Sequence, residues 1–207
     1  MKNINIKTFN DWAIDGKDRG MEKGHALAVK EMINIIKSET LLLEKKFNFL
    51  DLGCGNGWVV RKFSNHKNCN IALGVDGAPA MIDKAKQFDQ KGIYVNADIE
   101  TWDSQDSFDI IFSMETFYYF KNLDKILNYI YSYMLKDNGI FIIGIDHYLE
   151  NTPSLSWDKE FNLSLNTLSI NQWTSTFKKH GFLDVKKSIY GKKENWHGTL
   201  ILYVQKK

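Results

Sequence analysis

Short, strand-length runs of apolar residues alternate along this chain with segments whose apolar residues recur every three or four positions. The apolar runs predict strands at about residues 47–52, 71–75, 93–96, 108–113 and 139–145, and then a pair near 183–190 and 198–205. This order predicts one α/β domain over residues 1–207, a three-layer sandwich in which crossover helices cover a mostly parallel sheet of seven strands.

Two of the intervening helices carry clear signals. Apolar residues spaced three and four apart from Leu123 to Met134 predict one buried helical face. Ser169 and Gln172 have the spacing of a capping box, which predicts the start of another helix. A short connection containing Gly191 joins the last two strands, so we expect them to pair antiparallel as a hairpin.

The first strand runs directly into Gly53, Gly55 and Gly57. Alternating glycines at a strand end suit a ligand that lies against the backbone, such as a dinucleotide, a phosphate or an S-adenosyl cofactor. A dinucleotide motif needs a third glycine where Trp58 stands, and a phosphate-binding loop needs Lys and Ser or Thr after the glycines. Asp51, two residues before the first glycine, disfavours a phosphate and suits the cationic amino-acid end of S-adenosylmethionine.

From about residue 47 to its C-terminus the chain resembles the class I S-adenosylmethionine-dependent methyltransferases. The resemblance implies a Rossmann-like fold with an antiparallel C-terminal hairpin. It also implies S-adenosyl-L-methionine as cofactor, with S-adenosyl-L-homocysteine as product. In the glycine motif it implies cofactor contacts from Asp51, Gly53, Cys54, Gly55 and Gly57.

Further cofactor residues are expected where the next strands end. By resemblance, Asp76 accepts hydrogen bonds from the ribose hydroxyls beside Gly77, and Asp98 accepts one from the adenine amino group while Ile99 packs by the ring. Met81 is a further candidate contact. A helix cap is the alternative role for Asp76, a cap or turn for Asp98 and core packing for Met81.

The segment after the fourth strand should pass beside the reacting methyl group. We expect Met114 to contact the cofactor, and Glu115 to act as a base, bind a cationic acceptor or be solvated. Tyr118 offers a ring face and a hydroxyl, or packs. His147 follows the fifth strand and is the first candidate base, because imidazole titrates near neutral pH. Trp12 closes over the cofactor or packs within the N-terminal segment.

Two segments fall outside the core pattern. Residues 1–40 should form a helical cap, which includes His25 near two glycines. Residues 146–168 form a long aromatic-bearing loop, and such loops in compact domains are usually functional. We expect the two segments to form the lid and the acceptor pocket, with the loop in contact with the methyl acceptor.

Composition narrows the partners. The net charge is +2, and the late lysine pairs, such as Lys178-Lys179, are typical of a solvated face, so a nucleic acid is not favoured. The stretch from Met1 to Trp12 lacks the apolar core of a signal peptide, and residues 139–145 are too few to span a membrane. Two cysteines form no disulfide framework, which favours the cytoplasm. Histidine and cysteine spacing offers no metal site.

The leading hypothesis is a cytoplasmic enzyme that methylates a small molecule by in-line displacement. Two alternatives stay open. The acceptor is RNA or protein, bound by the lysine-rich C-terminal part, or the chain binds S-adenosylmethionine without catalysis.

Overall fold

The computed structural model describes residues 3–207, so the first two residues of the predicted cap lie outside the described part. Its strands are β1 (Phe47–Leu52), β2 (Cys69–Asp76), β3 (Ile93–Asn96), β4 (Phe108–Met114), β5 (Leu135–Ile145), β6 (Lys186–Tyr190) and β7 (Thr199–Gln205). They form one sheet in the order β3-β2-β1-β4-β5-β7-β6. The first five strands are parallel, and β7 runs antiparallel to both β5 and β6. The predicted fold class is therefore confirmed.

Helices cover both faces of this sheet. They are α1 (Ile4–Ile14), α2 (Asp18–Glu39), α3 (Trp58–Ser64), α4 (Pro79–Phe88), α5 (Leu123–Tyr129), α6 (Trp157–Glu160) and α7 (Ile170–Lys179). The helices α2, α3 and α4 bury Met32, Val60 and Ile82 on one face, and α5 and α7 bury Leu127 and Trp173 on the other. Within the described residues, no helix combines the length and apolar character needed to cross a membrane.

The strand β5, which lies between β4 and β7, shows why the sheet has a hydrophobic core on each face. Ile140 and Ile142 pack in the cluster with α2 and α3, and Phe141 and Ile143 pack in the cluster with α5 and α7. Successive side chains of a strand point to opposite faces, so a continuous apolar run is buried on both sides. Burying each such side chain contributes roughly 1.5–3 kcal/mol.

The chain order reverses between β1 and β4, which are neighbours in the middle of the sheet. Connections leave these two strands in opposite directions, so a crevice opens beyond their carboxyl ends. In open α/β sheets ligands bind in this crevice. The glycine loop after β1 and the segment after β4 both lie there.

The structure refines several predicted boundaries. The N-terminal segment forms two helices rather than one, separated at Gly16, whose φ is +77°. The strand β5 begins at Leu135, and its register with β4 shifts before Ile140, where Asn138 has a φ of +62°. The predicted capping box at the start of α7 is confirmed, with Ser169 as the cap.

Candidate active site

A glycine loop connects β1 to α3. The backbone N–H groups of Gly53 and Cys54 donate to the carbonyl of Val75 at 2.8 and 3.1 Å, which holds the loop against the end of β2. Gly53, Gly55 and Gly57 have φ angles of 79°, 52° and 76°. These left-handed conformations cost glycine little and penalise residues that carry a Cβ atom. The alternation of glycines in the sequence follows from this loop conformation.

The glycines of the loop differ in what surrounds them. A Cβ atom on Gly57 would lie 2.5 Å from the ring of Tyr94 and 2.9 Å from the Cβ atom of Ala85. Gly57 therefore allows α3 to begin close to β3 and α4. A Cβ atom on Gly55 would meet no atom within 4 Å. Because Gly55 lines an open cavity, its missing side chain leaves room for a ligand.

Two carboxylates lie beside this loop. Asp76 accepts hydrogen bonds from the N–H of Gly55 at 2.9 Å and from the N–H of Ala78 at 2.8 Å, so it joins the loop to the start of α4. Burial raises the pKa of Asp76. Asp51 is 3% exposed, and its carboxylate accepts no hydrogen bond from residues 3–207. Burial and the charge of Asp76 raise the pKa of Asp51 well above its usual value.

These groups line one cavity, which opens to solvent on one side and has an empty volume of about 990 Å³ including its mouth. The predicted site residues that line it are Asp51, Gly53, Cys54, Gly55, Asp76, Gly77, Met81, Asp98, Ile99, Met114 and Glu115. The rest of its wall comes largely from α1, from the start of α2 and from the segment after β4.

Comparisons with known proteins match this chain to methyltransferases. A family model described as a methyltransferase domain matches residues 50–143. Malonyl-[acyl-carrier protein] O-methyltransferase 1 of Ilyobacter polytropus is 30% identical over 149 residues, which are 66% of this chain and 53% of that protein. (S)-tetrahydroprotoberberine N-methyltransferase of Eschscholzia californica is 27% identical over 62% of this chain and 35% of that protein. The chain thus spans about half, or less, of the length of these curated relatives.

A solved structure covers nearly the whole chain. The protein in complex with the Trm112 methyltransferase activator of Haloferax volcanii superposes with a TM-score of 0.80 at 24% identity, over 96% of this chain and 98% of that chain. This likeness extends the shared fold to the N-terminal helices and the C-terminal hairpin. Over residues 50–143 the chain is therefore similar to methyltransferase domains, and as a whole it shares the fold of this solved structure.

The cofactor of this methyltransferase family is S-adenosylmethionine, and the cavity fits it. The unpartnered carboxylate of Asp51 suits its ammonium group. The open space beside Gly55 lets the cofactor lie close to the backbone of the loop. Asp76 keeps acceptor capacity for the ribose hydroxyls in addition to its two backbone bonds. Asp98 accepts the N–H of Glu100 at 3.1 Å within a turn, which is the turn role considered from the sequence; its contact with adenine stays a prediction.

Glu115 occupies the part of the methyltransferase cavity beyond these cofactor residues. Its φ is 57°, a strained left-handed conformation for a residue with a long side chain. The hydroxyl of Tyr118 donates to Oε2 at 2.6 Å, and the backbone N–H of Asp146 donates to Oε1 at 2.5 Å. Burial and the charge of Asp146 raise the pKa of Glu115 well above its usual value. Glu115 is therefore a fixed carboxyl group that faces a cavity.

Asp146 lies behind Glu115 and beside His25, which itself lines the cavity. Asp146 is 7% exposed, and its Oδ1 atom is buried with no hydrogen-bond partner among residues 3–207. Nδ1 of His25 lies 3.8 Å from Oδ2 of Asp146. Burial raises the pKa of Asp146, although Thr199 and His25 oppose the rise. Burial also lowers the pKa of His25 against the attraction of Asp146, which favours a neutral imidazole at neutral pH.

Helix α1 forms one wall of the cavity; residues 1–40 were expected to contribute to the lid and acceptor pocket, but the lining residues of α1 were not singled out from the sequence. Asn5, Ile6 and Phe9 line the cavity from this helix, and Met21 and His25 line it from α2. The signal was present as the spacing of Ile6 and Phe9, which places both on one helical face. The predicted cap thus contributes directly to the site.

Hydrogen bonds hold this wall in place. The side-chain amide of Asn5 donates to the carbonyl of Ser164 at 2.9 Å and accepts its N–H at 2.8 Å. At the start of α2, Asp18 accepts a hydrogen bond from Asn56 of the glycine loop at 3.1 Å and pairs with Lys84 at 2.6 Å. These contacts therefore join the cap to the loop at 161–166, and also to the glycine loop and α4.

The structure places four of the predicted residues outside the cavity lining. His147 is 1% exposed; its Nδ1 contacts the carbonyl of Ser154 at 3.0 Å and its Nε2 contacts the hydroxyl of Thr167 at 2.8 Å. Both ring nitrogens therefore have structural partners, and burial lowers the pKa of the imidazole. Of these two candidate bases, Glu115 lines the cavity and His147 does not.

Tyr118, Trp12 and Gly57 also lie off the cavity wall. Tyr118 stands directly behind Glu115 and donates to it, so it positions that carboxylate. Trp12 packs edge-to-face against Phe9 at 5.1 Å, and Gly57 permits close packing of α3. None of the residues 146–168 lines the cavity in the described part of the chain; this loop instead supports the cap and the segment after β4.

Proposed function

We propose that this protein transfers a methyl group from S-adenosylmethionine to a small-molecule acceptor. The observation that carries the proposal is that one cavity is lined by the cofactor residues and, next to them, by Glu115, His25 and the cap. The bound cofactor supplies a methyl group already activated by a positive sulfur. The protein then has to align the acceptor, exclude water and accept a proton. Alignment in such a site is worth roughly 7–11 kcal/mol of barrier.

The names of the relatives support a small acceptor without fixing the methylated atom. One relative is by name an O-methyltransferase and the other an N-methyltransferase. Because the chain spans only part of each relative, its acceptor is better argued from its own cavity. The enclosed wall formed by α1 and α2 also favours a molecule small enough to be covered.

The late lysines give little support to an RNA acceptor. Lys179, Lys186 and Lys207, from three of the lysine pairs, each contact an acidic side chain of the same chain. These ion pairs reduce the positive potential that a phosphate backbone requires. The free thiols of Cys54 and Cys69 suit a reducing compartment, which supports a cytoplasmic location.

Transfer of radiolabelled methyl groups tests this proposal. The purified protein is incubated with labelled S-adenosylmethionine and, separately, with the small-molecule, RNA and protein fractions of a cell extract. We expect label in the small-molecule fraction and its loss with Asp76→Ala. Label confined to RNA, with binding that weakens steeply as salt rises, would replace the small acceptor with a nucleic acid. Cofactor binding without any transfer would favour the non-catalytic alternative.

A further inference from the structure

One carboxylate of the cavity is not accounted for by the cofactor. Asp51, Asp76 and Asp98 suit its ammonium, ribose and adenine groups, whereas Glu115 lies beyond them with Asp146 behind it. No lysine or arginine is among the described residues that line the cavity. An anionic acceptor at Glu115 would therefore face carboxylates with no cationic side chain beside it, which is unfavourable in a buried site.

Aromatic rings line the cavity near this carboxylate, and the Tyr119 hydroxyl contacts the Tyr118 hydroxyl that donates to Glu115. The rings of Phe9 and Tyr119 both line the cavity, and their centroids lie 5.1 Å apart in an edge-to-face arrangement. Aromatic faces attract cations, more strongly when the cation is desolvated. His25, the one histidine in the described lining, has a lowered pKa and adds no opposing positive charge. The carboxylate and the aromatic rings thus both favour a positively charged acceptor.

We infer that the methyl acceptor is an amine that enters as an ammonium ion, with its nitrogen against the carboxylate of Glu115 and the rings of Phe9 and Tyr119. This inference rests on the proposed methyl transfer and names its substrate class. Tyr118 and the N–H of Asp146 fix the two oxygens of Glu115, so the carboxylate presents one orientation to the nitrogen.

The environment of Glu115 also suits the proton transfer that an amine needs. An aliphatic ammonium group has a pKa of about 10.4, far above that of an ordinary carboxyl group. Burial and Asp146 raise the pKa of Glu115, so its carboxylate is a stronger base than an ordinary one and accepts a proton more readily. Tyr118, Tyr119, Asp146 and His25 are the titratable groups that surround this carboxyl.

The reaction balances with these groups alone. A proton passes from the ammonium nitrogen to Glu115, which frees the nitrogen lone pair. That pair forms the new N–C bond while the C–S bond breaks, and the electrons of the broken bond stay on sulfur. The product is a methylated ammonium ion, and Glu115 returns its proton to solvent.

Binding of matched probes tests the inference. Affinities of 2-phenylethylamine, 3-phenylpropionate and 2-phenylethanol, together with butylamine, butyrate and butanol, are measured by calorimetry on the protein saturated with S-adenosylhomocysteine. We expect each amine to bind at least tenfold more tightly than its acid and its alcohol. Glu115→Gln should remove at least tenfold of the amine affinity and leave the alcohol and S-adenosylhomocysteine within about twofold.

A surface variant controls for charge alone. Glu44 is exposed and precedes β1, at the end of the strand away from the cavity. Glu44→Gln should therefore leave all probe affinities unchanged. Equal affinity for the charge classes, absence of binding by every amine, or an amine affinity that survives Glu115→Gln would overturn the inference. Failure of S-adenosylhomocysteine itself to bind would instead refute the proposed methyl transfer, so the two failures are distinguishable.

Discussion

The carboxylate of Glu115 accepts the backbone N–H of Asp146 at 2.5 Å, and this bond joins the segment after β4 to the end of β5. The two strands are parallel neighbours, so the acids that follow them converge at one edge of the sheet. Burial raises the pKa of both side chains. The fold thus keeps two carboxyl groups where their charge is unfavourable, which is typical of a site that binds or protonates a ligand.

The first prediction concerns Glu115→Gln and stability. The folded-state pKa of Glu115 lies above its ordinary value of 4.5, so its contribution to stability is fully present below pH 4.5. That contribution is lost as pH rises through the folded-state pKa. Glutamine keeps an acceptor oxygen and carries no charge, so the variant escapes this loss. We expect its advantage in the free energy of unfolding to grow with pH, by about 1.4 kcal/mol for each unit of pKa elevation.

Urea unfolding of the ligand-free protein at pH 4 and pH 8 measures this difference. The free energy of unfolding of the variant, relative to that of the wild type, should be higher at pH 8 than at pH 4. The variant should also lose amine affinity. A stability difference that is equal at both pH values contradicts an elevated pKa for Glu115.

A second prediction separates two glycines of the cofactor loop. Gly57→Ala forces a Cβ atom against Tyr94 in addition to its left-handed backbone, so we expect a loss of roughly 2–5 kcal/mol in unfolding free energy. Gly55→Ala meets no atom within 4 Å and should lose roughly 1–2 kcal/mol from strain alone. Its new methyl group should instead weaken S-adenosylhomocysteine binding.

Gly16→Ala isolates the strain. Its φ of 77° matches that of Gly57, and a Cβ atom there meets nothing within 4 Å. It should therefore resemble Gly55→Ala in stability and the wild type in cofactor affinity. Equal stability losses for Gly57→Ala and Gly16→Ala would show that Tyr94 is not in close contact.

A third prediction concerns His147. Alanine there removes the partners of Ser154 and Thr167 within the core, so we expect a loss of roughly 2–4 kcal/mol in unfolding free energy. Methyl transfer per folded molecule should change by less than about twofold. A fall in turnover of more than a hundredfold, at unchanged stability and cofactor affinity, would restore His147 as the base.

The alternation of side chains along β5 explains why His147 was a candidate and why the structure puts it elsewhere. Ile143 and Ile145 face α5 and α7, and His147 continues that face. Asp146, one position earlier, lies on the opposite face, on the side of α2 and beside His25. Sequence gives the alternation, but which face carries the cavity depends on where the N-terminal helices pack.

Other parts of the fold were predictable to different degrees. The strands β1 and β3 match their predicted bounds because apolar runs bounded by turn residues define them. A helical cap over residues 1–40 was predicted, but α1 as a separate helix was not, because polar contacts hold it: Asn5 binds Ser164, and Asn10 accepts the N–H of Ala80. Such contacts between distant segments leave no periodic pattern in the sequence.

The loop at 146–168 shows the same limit. Its length and aromatic content suggested contact with the acceptor. The N–H of Leu149 donates to the carbonyl of Leu168 at 3.0 Å, which ties the two ends of the loop together behind Tyr118. Composition alone does not reveal this closure.

A fourth prediction concerns Asp76, which anchors the cofactor loop. Alanine removes the acceptor for the N–H groups of Gly55 and Ala78 as well as the proposed ribose contact. We expect S-adenosylhomocysteine affinity to fall at least tenfold, or about 1.4 kcal/mol. Asp76→Asn should lose less of this affinity because asparagine keeps one acceptor oxygen. Near-normal affinity of Asp76→Ala, measured by calorimetry, would remove the ribose assignment.

The most direct test of the central claim is thermal unfolding with S-adenosylmethionine, S-adenosylhomocysteine and NAD in parallel. A ligand at 100 times its dissociation constant stabilises the folded state by about 2.7 kcal/mol, or roughly 5–10 °C for a domain of this size. We expect both S-adenosyl compounds to raise the melting temperature by this amount and NAD to leave it unchanged. A rise with NAD alone, or with none of the three, would contradict the claim that this cavity binds S-adenosylmethionine.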